Sequence, residues 1–310
     1  MKTVPYLILL GPILAALSGH SALANSSKRD MASSQMETAR PYIIQKSMNV
    51  FRRFKPEVTH DMVAFYRDIL GLTPLQPITL DAQQTIILFG IGGSQIKLAE
   101  GLQDNREYRP GAVNEATGIR YFTLFFPDGN ALARRFEKAG YSAPRFSDIG
   151  NGKQAAFVRD PANFTLKLVV WPDAPAEQYG RLEIGINASD IAESRHFYRS
   201  FIGLDELKAF TDPLLETKVY PYRNGSTTIT LFSLGRGLPA DTGSAGMQYV
   251  VSDAAAVDTL GKRRGITVET PLGSLPNFDL TFVWLNDPDG VTNYFAQIGD
   301  GSATVGSSKD

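Results

Sequence analysis

Hydrophobic positions along the chain switch repeatedly between a spacing of two and a helical spacing. In Arg181-Leu182-Glu183-Ile184-Gly185-Ile186 every second residue is apolar, which predicts a half-buried strand. The spacing then changes. Ile191, Ser194, Phe197, Tyr198 and Phe201 form one helical stripe, opened by Asp190 as N-cap with Glu193 three residues on, and closed by Gly203. Strands are predicted next at Lys218–Tyr222 and Thr227–Phe232. The order then returns: a strand at Met247–Val251, a helix capped by Asp253 and stopped by Gly265, and strands at Leu280–Leu285 and Asn293–Gln297 around the turn Asp287-Pro288-Asp289-Gly290. Earlier in the chain the pattern predicts helices over 60–70 and 129–139. Strands are predicted there at Thr85–Phe89, Gln95–Ala99, Arg120–Phe126, Ala155–Val158 and Phe164–Val170. Each half therefore reads as two βαβββ modules.

The halves also match residue by residue. Phe65-Tyr66-Arg67-Asp68-Ile69-Leu70-Gly71-Leu72 repeats as Phe197-Tyr198-Arg199-Ser200-Phe201-Ile202-Gly203-Leu204 at an offset of 132. Asp128 repeats as Asp253, and Asp160-Pro161 as Asp287-Pro288, at offsets of 125 and 127. Landmarks in one order at nearly one offset indicate a duplicated domain. The sequence places the copies at 47–171 and 181–298, joined by a Pro- and Ala-rich connector over 172–180. Lys2, the apolar run Tyr6–Leu17 and Ala22-Leu23-Ala24 predict a signal peptide over 1–24, cleaved after Ala24, and hence a periplasmic or secreted protein. Residues 25–46 read as a polar linker and 299–310 as a flexible tail.

Composition narrows the chemistry. Lys and Arg number 31 against 32 Asp and Glu, so no net positive field attracts nucleic acid or anionic lipid. Without cysteine there is no disulfide, thiolate zinc site, iron–sulfur cluster or cysteine nucleophile. The glycines from Gly90 to Gly93 fall in a strand-to-strand turn, unlike a phosphate loop. His60 and His196 read as structural or solvated helix residues. The expected partner is a small molecule, with no nucleic acid, no membrane after signal cleavage, and homo-oligomerisation left open.

The Phe-Tyr…Gly-Leu runs, Asp128 and Asp253, and the two Asp-Pro turns resemble the vicinal oxygen chelate superfamily of glyoxalases, bleomycin-resistance proteins and extradiol dioxygenases. The resemblance spans 47–298 and implies an α+β fold of tandem domains, each of two βαβββ modules forming an open cup-shaped sheet. It also marks the family's metal-ligand positions. In the first half they fall on Phe51 or Arg52, Lys97, Tyr121 and Lys167; in the second they fall on Glu183, Thr230, Gly246 and Tyr294. A catalytic divalent metal needs about three imidazole or carboxylate donors. One carboxylate cannot hold it, so no metal and no other cofactor is expected.

What the resemblance then implies is a site in the second-domain cup. Glu183 would serve there as general acid or base, its pKa raised by burial, and Tyr294 as hydrogen-bond donor. Tyr220, Tyr222, Thr230 and Trp284 would contact the ligand, with Phe282 and Phe295 as walls. In the first half, Lys97, Tyr121 and Lys167, joined by Arg52, would suit a carboxylate, phosphate or enolate in one cup. The expected function is metal-independent proton transfer of isomerase or lyase type on a small organic molecule. The alternatives are a small-molecule binding protein of bleomycin-resistance type and a metal-dependent extradiol dioxygenase or glyoxalase.

Overall fold

The computed structural model describes residues 37–81 and 84–299, so the predicted signal peptide, part of the linker and nearly all of the tail lie outside the described residues. The first module is β1 (Asn49–Phe54), α1 (Thr59–Ala64), β2 (Thr73–Asp81), β3 (Gln84–Ile91) and β4 (Ser94–Glu100). The second is β5 (Thr117–Phe126), α2 (Gly129–Lys138), β6 (Ser147–Gly150), β7 (Lys153–Arg159) and β8 (Thr165–Val170). The third runs β9 (Leu182–Asn187), α3 (Ile191–His196), β10 (Asp205–Glu206), β11 (Phe210–Asp212), β12 (Thr217–Asn224) and β13 (Thr227–Phe232). The fourth runs β14 (Ala240–Asp241), β15 (Ala245–Val250), α4 (Ala254–Arg263), β16 (Val268–Leu275), β17 (Leu280–Asn286) and β18 (Thr292–Ile298).

Three of the four α-helices among the described residues start on an aspartate whose carboxylate accepts backbone N–H groups that the first turn leaves unpaired. Asp128 caps Ala131, Asp190 caps Ala192 and Glu193, and Asp253 caps Ala256. The first helix of each half is not the uniform α-helix that the spacing predicts. After α1 and α3 the chain widens: the Leu70 N–H reaches the Phe65 carbonyl, five residues back, at 3.0 Å, and Gly203 does the same to Tyr198. The wider turn lets the adjacent residues Phe65 and Tyr66, and again Phe197 and Tyr198, all bury against one core. Gly71 and Gly203, at φ 74° and 84°, then turn the chain out in the left-handed region.

The modules make two curved sheets, each built of two modules as the fold class requires. Which modules share a sheet is not the order of the chain. One sheet runs β16-β17-β18-β15-β1-β4-β3-β2, so it joins the first module to the fourth. The other runs β10-β12-β13-β9-β5-β8-β7-β6, joining the second to the third. The joints are antiparallel, β1 on β15 with Phe51 opposite Gly246, and β5 on β9 with Tyr121 opposite Gly185. Both glycines are needed for close approach. A Cβ on Gly246 would lie 2.1 Å from Phe51 Cζ, and one on Gly185 would lie 2.1 Å from Tyr121 Cζ.

The helix layer ties the two modules within each half, and so links the two sheets. Phe65 meets Phe136 of α2 edge-on at 5.7 Å. The duplicated motifs meet each other as well: Tyr66 donates to the Asp160 carboxylate at 3.2 Å, and Tyr198 to Asp287 at 2.8 Å. Each Phe-Tyr run thus supplies a hydroxyl to the Asp-Pro turn of the next module. The first half adds Arg52, fully buried, with Nε and Nη2 each 3.2 Å from Asp160 Oδ2. Arg52 therefore belongs to the helix-side core, with its guanidinium 4.3 Å from the Phe164 ring centroid, and Phe51 is the residue that faces the cup.

Candidate functional site

Cross-pairing of the modules redistributes the marked positions. Phe51, Lys97, Gly246 and Tyr294 share the first sheet, while Tyr121, Lys167, Glu183 and Thr230 share the second. Glu183 and Tyr294, expected together, are on different sheets. Lys97 is likewise parted from Tyr121 and Lys167. Tyr220 and Tyr222 pair with Leu231 and Ile229, whose side chains enter the helix-side core, so parity turns both tyrosines away from the cup. There Arg195 of α3 lies 4.5 Å over the Tyr220 ring and donates to the Tyr222 hydroxyl at 3.1 Å. Phe295 also leaves the cup, stacking on Tyr249 at 5.1 Å.

The second cup is filled by its own side chains. Tyr121 stacks on Phe232 at 5.7 Å and meets Phe157 at 5.5 Å, and Leu215 and Val219 complete the cluster. Lys167 is buried in an ion pair with Asp212, whose other oxygen accepts the Leu214 and Leu215 amides at 2.9 and 3.2 Å. Thr230 is buried in the wall, 7% exposed. Burial raises the Glu183 pKa, as the sequence anticipates, but Arg181 already holds its carboxylate at 2.9 Å and opposes the shift.

The first cup stays open. Phe51, Lys97, Phe282, Trp284 and Tyr294 all line its concave face and all remain partly exposed. The sheet is curved enough for Phe51 on β1 to come within 6.3 Å of Trp284 on β17, three strands away. Trp284 meets Tyr294 at 5.4 Å, and Phe282 meets Tyr294 edge-on at 6.0 Å. The Arg53 guanidinium lies 5.7 Å from the Phe51 ring and 6.0 Å from Trp284.

Donors prevail among the polar groups here, beside the Asn49 and Gln248 amides, which bond to each other at 3.4 Å. Neither Lys97 nor Arg53 has a carboxylate partner among the described residues, and burial alone pushes the Lys97 ammonium down to about 8. Burial lowers Arg53 also, and raises the Tyr294 phenol. The Trp284 indole N–H is buried without a hydrogen-bond acceptor. Glu269 on β16 is already engaged, paired with Arg106 and accepting from Thr292 at 2.8 Å. Sequence reasoning missed Arg53. The signal was present, since the alternation of Val50, Arg52 and Phe54 assigns one face and leaves Phe51 and Arg53 on the other.

A divalent metal does not fit either set of marked positions. The first cup offers an amine and a phenol, and the Phe51 ring fills the space into which a side chain at position 246 would project. The second offers one carboxylate, already paired. Among the described residues no three His, Cys, Asp or Glu side chains converge.

Two curved sheets of paired βαβββ modules, each sheet enclosing a cup, define the class. The chain belongs to the Glyoxalase/Bleomycin resistance protein/Dioxygenase superfamily, whose model matches residues 59–168 and again 180–295. Among solved structures it is similar to glyoxalase I from Zea mays, with a TM-score of 0.61 at 18% identity over 81% of this chain and 92% of that one. A mutant of that enzyme gives 0.63 at 18% identity, over 84% and 97%. A protein from Bacillus subtilis subsp. subtilis str. 168, provisionally named a dioxygenase, gives 0.58 at 14% identity, over 86% and 88%. Comparison with curated proteins finds no match. Likeness at this level establishes the fold.

Proposed function

We propose that this protein captures a small planar organic anion, such as an aromatic carboxylate, in the first cup. The observation that carries the reading is the set of donors on an aromatic wall that have no acceptor among the described residues: Lys97, Arg53, the Tyr294 hydroxyl and the Trp284 indole N–H. A planar body packs on the rings, and an anionic group answers the donors that the protein leaves unanswered. Binding without conversion is the mode of the bleomycin-resistance branch of the superfamily.

Metal-independent proton transfer is the second reading, and one feature favours it: the Lys97 amine, lowered to about 8, is close to the pH range in which a general base works. Tyr294 would then supply a proton or hydrogen bond to the developing oxyanion. In either reading the residues at work are in the first cup, and Glu183 is not among them.

Native mass spectrometry against a panel of benzoate, salicylate, phenylacetate and cinnamate tests the capture reading. A complex of one ligand per chain is expected, with the released ligand unchanged in its NMR spectrum. Conversion of a bound ligand would replace capture by catalysis, and failure of the whole panel to bind would overturn the reading.

A further inference from the structure

Outside both cups, the junction of the first and second modules carries a groove of about 560 Å³, within the range that small-molecule sites occupy. Its floor is apolar: Leu70 and Leu72 on either side of Gly71, Ile91, Leu124 and Phe126. One wall is α2, which presents Arg134, Arg135 and Lys138 at i, i+1 and i+4. The groove's acid, Asp128, serves as the helix cap, its Oδ1 accepting the Ala131 N–H at 2.9 Å, and its charge also acts on Arg135.

None of the three cations has an ion-pair partner among the described residues. Arg135 and Lys138 lie in the last turn, where basic residues answer the helix's negative end, and Arg134 and Lys138 are exposed to solvent. Arg135 is different. It is drawn inward against Gly71, where a Cβ would lie 2.7 Å from its Nη1, and its Nε is buried with no acceptor. An orphaned buried donor in the wall of an apolar groove marks the place of a missing acceptor.

We infer that this groove is a second ligand site, which takes an amphiphilic organic anion with its apolar body on Leu70, Leu72 and Phe126 and its carboxylate or sulfonate against Arg135. The arrangement fits this class because the charge is confined to one wall, leaving the floor to a hydrocarbon surface. Occupancy would also bridge the two sheets, since Leu70 belongs to the first module and α2 to the second.

The test is titration calorimetry of the full chain with octanesulfonate, an aliphatic anion that lacks the planar ring taken by the first cup. Saturable binding at one site is expected, weakened at least tenfold by Arg135→Met. Because Arg135 also packs on Gly71, the exposed pair Arg134→Gln with Lys138→Gln is the second variant, expected to weaken binding by a smaller factor without affecting folding. Lys97→Met should leave this titration unchanged. The inference is overturned if binding does not saturate, if neither groove variant alters it, or if Lys97→Met alone abolishes it, which would move the probe to the first cup.

Discussion

Replacing Asp160 by Ala is expected to destabilise the protein by about 3–5 kcal/mol, a large part of the ~5–15 kcal/mol that holds a domain folded. The carboxylate is 3% exposed and joins three parts of the first half. Its Oδ2 takes Arg52 Nε and Nη2 and the Tyr66 hydroxyl at 3.2 Å each, and its Oδ1 takes the Ala162 and Phe164 amides at 2.9 Å each. Alanine removes all of these and leaves the guanidinium of Arg52, fully buried beside Phe164, without its counter-charge. The cost arises from that orphaned charge more than from the lost bonds. Urea unfolding followed by circular dichroism should show the midpoint fall sharply. Arg52→Met combined with Asp160→Asn should recover part of the loss, because the unpaired charge goes with it. A loss below about 1 kcal/mol for the single variant would contradict the strap. The second half lacks the arginine: Asp287 has Tyr198 at 2.8 Å but faces Asp289, and burial beside that carboxylate pushes it up to about 7.

Lys97→Met is expected to weaken binding of an aromatic carboxylate ~10- to 100-fold, since a hydrogen bond between charged groups contributes about 1.5–3 kcal/mol. The same lysine sets the pH dependence. Burial lowers its pKa to about 8 in the free protein, and an anion bound against it favours the ammonium and raises that value. Affinity should therefore be constant below about pH 8 and fall as pH rises above it, by up to tenfold per unit until the pKa of the complex is reached. Titration calorimetry between pH 6 and pH 10, an interval of roughly two units on each side of that pKa, checks the sign. Affinity that increases with pH, or a Met variant that binds as tightly, would remove Lys97 from the site.

The elements of the fold are legible in the sequence wherever local chemistry fixes them. Asp128, Asp190 and Asp253 cap helices because their carboxylates match the free amides of a first turn, a relation that spans three residues. The Phe-Tyr and Asp-Pro landmarks identify the duplication, and their structural meaning is that the two motifs bond to each other. Edge strands are harder to read. β2 contains Pro74 and Pro77, and β16 contains Pro271 and Gly273, so neither shows the apolar alternation of a central strand, yet each needs only one neighbour.

The pairing of modules is a different problem, because local spacing says nothing of which strand lies beside β1. The clue was a matched pair of glycines, Gly185 and Gly246, on the central strands β9 and β15, each required by an aromatic ring on the strand opposite. Gly246, read as an empty ligand position, hid the joint of the first sheet. Assigning the modules by chain order then placed Glu183 beside Tyr294 and gathered Lys97 with Lys167. Across the real joints, Lys167 meets Asp212 in a filled cup, and Lys97 shares one sheet face with Tyr294 and Trp284. Tyr220 and Tyr222 show the smaller version of the same error, since one step of strand parity moved both to the helix side.

The central claim is that the cup made by the first and fourth modules receives the ligand. The chain has two tryptophans, Trp171 at the end of the first copy and Trp284 in that cup, so Trp171→Phe leaves Trp284 as sole reporter. Its emission should change saturably as an aromatic carboxylate from the binding panel is added, and Lys97→Met should suppress the change. A ligand that binds one per chain while leaving Trp284 emission untouched would place the site elsewhere and contradict the account.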